Sequence, residues 1–271
     1  MKIGYAAALL VVLPAVPAPA GTPTTQRMTC PIGGGAFNFA TTASYSTWGA
    51  RPDGRPFGSW HFPLDLPECP DNGLVVYDQF NEADLARLRP LVASAEYQAL
   101  RRSGDTPYYR AYWLMQRMGA PATDALWMLV QASWQTDGAP ALRRRYLEEL
   151  VERSPSLGEP RDLTTVAVRA RVINALRELG RFDEAAAMLA ATPVETIAPD
   201  SSTVRSTADW RGHYRRLGIV IARGDASVEP LDMIPRREAE QRCAAEADRL
   251  DEAHRAICRE WAETRSPPPS D

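Results

Sequence analysis

From Asn81 to Thr264 the chain is punctuated at helical intervals, and this pattern restricts the fold more than any other feature. Asn81 is placed to cap a helix starting at Glu82, and Thr106 followed by Pro107 opens another that runs through Met118 and stops at Gly119. A capping oxygen satisfies the free amides of a helix start, proline is preorganised for the first turn, and glycine accepts the left-handed stop. By the same signals Thr123 caps a helix reaching about Gln135, and Pro140 opens one reaching Arg153. Further helices are expected over 163–179, 183–191, 208–223 and 236–264. Tyr108, Tyr112, Met115 and Met118 give the Pro107 helix one apolar face. The Thr123 helix has Leu126, Leu129, Val130 and Ser133 on one side and a second ridge of Trp127 and Trp134. A helix apolar on two sides has neighbours on both, which suits stacked helical hairpins better than an isolated pair.

The stretch RVINALRELGRFDEAAAMLAATP, from Arg171 to Pro193, resembles a tetratricopeptide unit. The matching part is Leu179-Gly180-Arg181-Phe182-Asp183-Glu184-Ala185, where Gly180 ends one helix, Phe182 plugs the turn and Ala185 permits close approach. YYRAYWLMQRMGAPATDALWMLVQ has similar geometry with weaker residue agreement, and no third copy recurs at a fixed period. The resemblance fits a mainly α fold with a helical-hairpin array over 81–235; apolar spacing adds a long helix over 236–264, and the composition of SPPPSD a disordered tail over 265–271.

Ahead of the helices, over 21–80, lies a small β-rich module. Its frame Cys30-Pro31-Ile32-Gly33-Gly34 returns as Cys69-Pro70-Asp71-Asn72-Gly73. This tandem, within Thr29 to Tyr77, resembles a zinc ribbon, in which two Cys-Pro-x-Cys-Gly turns supply four thiolates to the ion. Gly33 and Asn72 stand where the second cysteine of each turn would be, so a zinc site would need Cys30, Cys69, His61 and Asp71 together. The resemblance implies the alternative as well: in an oxidising space two cysteines facing each other across the old site form a disulfide. Such a link closes a long loop, worth roughly 4 kcal/mol on the loop-entropy model. The domain order is similar to that of uncharacterised bacterial zinc-ribbon and tetratricopeptide proteins, a likeness that implies the order and no activity.

Within the module Phe37 and Phe39 alternate with Asn38 and Ala40, and LVVY over 74–77 is compact and β-branched, so both read as short strands. Between them STWGARPDGRPFGSWHFP carries a turn at Asp53-Gly54. Its Trp48, Arg51, Arg55 and Trp60, with His61 beside them, are candidates for a recognition loop. The competing reading has both indoles packing over the small sheet.

The first twenty residues, MKIGYAAALLVVLPAVPAPA, follow the pattern of an export signal cleaved after Ala20. Their apolar stretch is shorter than the ~20 residues needed to span a bilayer, and Pro14, Pro17 and Pro19 break a continuing helix. The expected product is exported, periplasmic or secreted, without a membrane span. Lys2 is the only lysine, so arginine supplies all remaining basic side chains apart from three histidines. That removes phosphate-loop and pyridoxal chemistries, which need an amine. A net charge of −3 provides no broad basic field, and nucleic acid is not an expected partner.

Cys243, Ala247, Leu250, His254, Ile257 and Trp261 follow steps of four and three and share one face of a continuous helix. On it Cys243 and Cys258 would stand roughly 22 Å apart at ~1.5 Å per residue, whereas a disulfide needs Cα atoms within about 7 Å. Local pattern therefore favours the straight helix. The oxidising compartment favours a bend near 248–252 that joins the two cysteines.

Metalloprotease His-Glu-x-x-His, Gly-x-Ser-x-Gly and Gly-x-Gly-x-x-Gly motifs are absent from the sequence. The leading expectation is a non-catalytic, exported interaction or scaffold module without a cofactor, holding a protein or peptide partner. The alternatives are a periplasmic hydrolase with an acid-base set of His61, Asp53 and Asp65, and a metal-binding module.

Overall fold

The computed structural model describes residues 21–194 and 206–264. The expected export signal over 1–20 and tail over 265–271 lie outside the described residues. Strands β1 (Thr22–Thr29) and β2 (Ala36–Ser44) pair as an antiparallel hairpin with Met28 opposite Phe37. A second hairpin joins β3 (Thr47–Ala50) to β4 (Pro56–Gly58). At its tip Gly54 turns the chain at φ 93°, and its amide donates to the Arg51 carbonyl at 2.9 Å.

The repeated cysteine frame folds into the same turn twice. In each copy the cysteine amide donates to the carbonyl five residues on, Cys30 to Gly35 at 2.8 Å and Cys69 to Leu74 at 2.9 Å. The amide four residues on donates back to the cysteine carbonyl, from Gly34 at 3.1 Å and from Gly73 at 2.9 Å. The two turns face each other and are closed by a Cys30–Cys69 disulfide with Cα atoms 5.6 Å apart. Asn72 adds a second link by donating its amide N–H to the Ile32 carbonyl at 2.8 Å. The strand expected over 74–77 does not form. Val75 makes one bridge to Glu68, while fully buried Leu74 and Val75 serve as packing under Tyr97, whose hydroxyl donates to the Gly73 carbonyl at 2.7 Å.

Ten helices follow among the described residues: α1 (Glu82–Ala93), α2 (Ala95–Arg102), α3 (Pro107–Met118), α4 (Ala122–Trp134), α5 (Pro140–Arg153), α6 (Leu163–Glu178), α7 (Phe182–Ala190), α8 (Thr207–Ala222), α9 (Arg236–Ala245) and α10 (Glu252–Glu263). Asn81 caps α1 in a capping box with Asp84, Thr106 caps α3, and Gly119 ends α3 at φ 78°. Ser94 is extended, so it ends α1 and caps α2 at once. Thr123 is not a cap: α4 starts at Ala122 after Pro121, whose extended backbone has already broken the chain direction.

From α3 to α8 each helix packs on the next, and α6 also touches α4 and α8, forming an inner layer. Helix α6 lies between two cores. Its Val168, Val172 and Ala175 join Tyr112, Leu129 and Tyr146, while Val166, Ala170 and Ile173 join Trp210, Tyr214 and Leu217. Small and β-branched side chains on two faces let one helix pack closely on both sides. The cysteine turns share a further core with Leu88, Val92, Trp113 and Leu114, which fixes them to α1 and α3. No described helix is long and apolar enough to cross a membrane.

The segment expected as one helix over 236–264 is broken. Helix α9 stops at Ala245, a short 3-10 turn spans Ala247–Arg249, and Asp251 caps α10 by accepting from the His254 amide at 2.8 Å. The hairpin brings the Cα atoms of Cys243 and Cys258 to 5.6 Å in a disulfide. Leu250, Ile257 and Trp261 then pack around Leu231, Ile234 and Phe57.

Candidate functional site

The tip of the second hairpin reaches into the helical array. Arg51 donates to both oxygens of Asp53, at 3.1 and 2.6 Å, and both side chains are buried. Arg143, from α5, also donates to Asp53 at 3.1 Å, to Glu178 at 2.9 and 3.1 Å, and to the Ser133 carbonyl at 2.7 Å. Arg171, from α6, donates to the Pro52 carbonyl at 2.5 Å and lies 3.2 Å from His213. Its guanidinium lies flat against Gly54, where a Cβ would come within 2.8 Å of its Nε. Thus the inner side of the array grips a tight turn of polypeptide through one carboxylate and one carbonyl.

The network continues outward. Arg51 donates to Asp137 at 2.8 Å and to Glu229 at 3.4 Å; Arg55 also pairs with Asp137, and Arg242 of α9 with Glu229. Between this network and the α9–α10 hairpin lies a polar cleft of about 460 Å³, lined by Arg51, Asp137, Arg143, Glu229, Arg242 and His254 among others. His254 is held from both sides, with Nδ1 2.9 Å from Asp251 and Nε2 3.2 Å from Asp225.

Electrostatics follow from these contacts. Burial alone would raise the Asp53 carboxyl, but Arg51 and Arg143 outweigh it and hold it at about 2. Glu178 moves the other way, pushed up by burial against the pull of Arg143. The bond to Asp225 raises His254, and burial only partly offsets it. Burial opposes ionisation of Asp225, yet the contacts with His254, Ser227 and Arg223 keep it below the usual carboxylate range. With a carboxylate beside each nitrogen, the imidazole ties α10 to the chain after α8. It is poorly placed to take a proton from a substrate.

Of the hydrolase set, two members meet and the third is apart. His61 and Asp65 pair at 2.9 Å on the surface, with side chains 53% and 52% exposed, whereas Asp53 is enclosed by two arginines. The metal set is dissolved because both early sulfurs are in the disulfide, and among the described residues no group of three or more His, Cys, Asp or Glu is placed to hold an ion. The loop read as a recognition surface faces inward at Arg51 and Arg55, since carboxylates from three elements meet them there. Arg55 also donates to the Phe62 carbonyl at 3.0 Å. Trp48 is exposed but donates its indole N–H to Glu238 of α9 at 3.0 Å, and Trp60 is half-buried beside the His61 ring.

Arg143, Arg171, Glu178, Asp225 and His254 carry this site, and sequence reasoning missed their roles. A signal existed: Arg143 stands on the same helix face as Tyr146, Leu147 and Leu150, where a charge has to be paired to be buried. Comparison of the chain with protein-family models, curated proteins and solved structures finds no match.

Proposed function

We propose that this chain is an exported, non-catalytic scaffold that holds a polypeptide partner against its helical-hairpin array. The observation that carries the reading is the seat of the Arg51–Arg55 turn: buried arginines of α5 and α6 hold the Asp53 carboxylate and the Pro52 carbonyl. An array with such groups on its packing faces is suited to hold extended chain, and helical-hairpin stacks use their surfaces in this way. The saturation of the cleft also favours holding over turnover, because Asp53, Glu178 and His254 are each committed to internal partners. Two disulfides support export, since such links persist in oxidising compartments. Affinity capture by the tagged protein from an envelope extract, with a heat-unfolded sample as control, tests the reading. Enrichment of a defined protein at moderate salt is expected. Recovery of none at any salt would overturn it, and hydrolytic activity abolished by His61→Ala would replace it with the enzymatic reading.

A further inference from the structure

Helix α8 has a face that the array does not use. Arg211, Arg215 and Ile219 follow at four-residue steps and all are exposed, Ile219 at 52%. Like charges one turn apart work against a helix, whereas Arg143, Arg177 and Arg181 of the array each hold a carboxylate or carbonyl. Among the described residues neither Arg211 nor Arg215 meets such a partner. Beside them, between the end of α7 and α8, runs a groove of about 500 Å³. Leu189, Val194, Tyr214 and Gly218 form its apolar floor, and the two arginines form its rim. The facing stretch over 185–194 carries no acidic residue.

We propose that this groove takes an acidic, apolar-containing stretch of a protein partner: carboxylates on Arg211 and Arg215, an apolar side chain on the floor next to Gly218. Arg211 and Arg215 are four residues apart, about 6 Å of rise along the helix. That is close to the ~6.7 Å between alternate side chains of an extended strand. Anionic membrane is disfavoured because surface attraction of that kind rests on clusters of roughly four to eight basic residues, and this chain is net acidic. The groove, moreover, has the volume of a ligand-binding cleft, roughly 300–1,000 Å³. The proposal gives the chemistry of the partner in the scaffold reading and rests on that reading.

Fluorescence anisotropy with a short labelled peptide of repeated Glu-Glu-Leu, at about 50 mM salt where exposed charges are weakly screened, tests it. Saturable binding is expected, about tenfold weaker for a Gln-Gln-Leu peptide and about tenfold weaker again for protein carrying Arg211→Glu and Arg215→Glu. Arg89→Glu on α1 is the control and should change nothing. Both reversed positions are exposed, so an unchanged thermal melt checks folding, and Arg211→Gln with Arg215→Gln gives a milder second variant. Equal affinity of wild-type and reversed protein would overturn the proposal. So would binding confined to phosphatidylglycerol vesicles, or a groove buried by self-association and freed by the reversal. If envelope capture persists in the reversed protein, the scaffold stands and this surface is wrong; if capture fails for both while the peptide binds the groove, the scaffold reading alone falls.

Discussion

Arg143 joins Asp53 of the hairpin tip to Glu178 of α6, and its side chain is almost fully buried. Replacing both ends of such a group by apolar residues is often neutral, but removing one end leaves charge buried without a partner. Arg143→Ala should therefore cost about 3–5 kcal/mol in urea unfolding, with Asp53→Asn partly restoring the double variant. His254 makes a pH-dependent contribution. Its folded pKa is raised by Asp225, so its stabilisation is complete below the unfolded value of about 6.5 and is lost as pH rises through the folded value. Melts of wild type and His254→Gln should differ most near pH 6 and converge toward pH 9. Asp225, held low, loses its contribution only on acidification, so it does not mask that trend. At this scale the sequence was half legible. Arg51 and Asp53 stood out by position in a turn, yet their partners lie 86, 90 and 178 residues away, and no local spacing reports such pairings.

The ends of helices α1 and α3 were legible because Asn81, Thr106 and Gly119 act where their chemistry places them, while α4, α5 and α7 start without a side-chain cap and were legible from apolar spacing. The C-terminal hairpin was legible from its two cysteines and the oxidising compartment alone, not from local pattern. Cys243, Ala247, Leu250, His254, Ile257 and Trp261 keep helical spacing through the bend, and no glycine or proline marks it. What breaks the helix is the local Asp251 cap together with two longer-range contacts, the disulfide and the approach of Asp225 to His254. Replacing Cys243 and Cys258 by serine should cost up to about 3 kcal/mol on the loop-entropy model and expose 245–251 to limited proteolysis. An unchanged denaturation midpoint and cleavage pattern would show that the hairpin holds without its link. The cysteine turns show the opposite balance, since a repeated short frame became a repeated hydrogen-bond pattern even though the strand expected after it did not form.

At the scale of the molecule, one short hairpin ties together parts that the sequence presents as a module, an array and a last helix. Gly54 lies where both the backbone, at φ 93°, and the contact with Arg171 exclude a side chain. Gly54→Ala should lower the unfolding midpoint by several degrees, whereas Gly138→Ala, with open space around it, should not. Such long-range wedging was hidden from pattern reading because a Gly- and Pro-rich stretch carries the same local signals whether it faces water or a groove. The measurement that bears most directly on this account is native-state hydrogen exchange at the hairpin tip, where the Arg51 amide bonds to the Arg55 carbonyl at 2.9 Å and Gly54 to Arg51. If the turn is seated in the array, those amides should exchange about as slowly as the interior of α6. Exchange at the rate of an exposed loop would contradict the seating and, with it, the reading of the array as a holder of polypeptide.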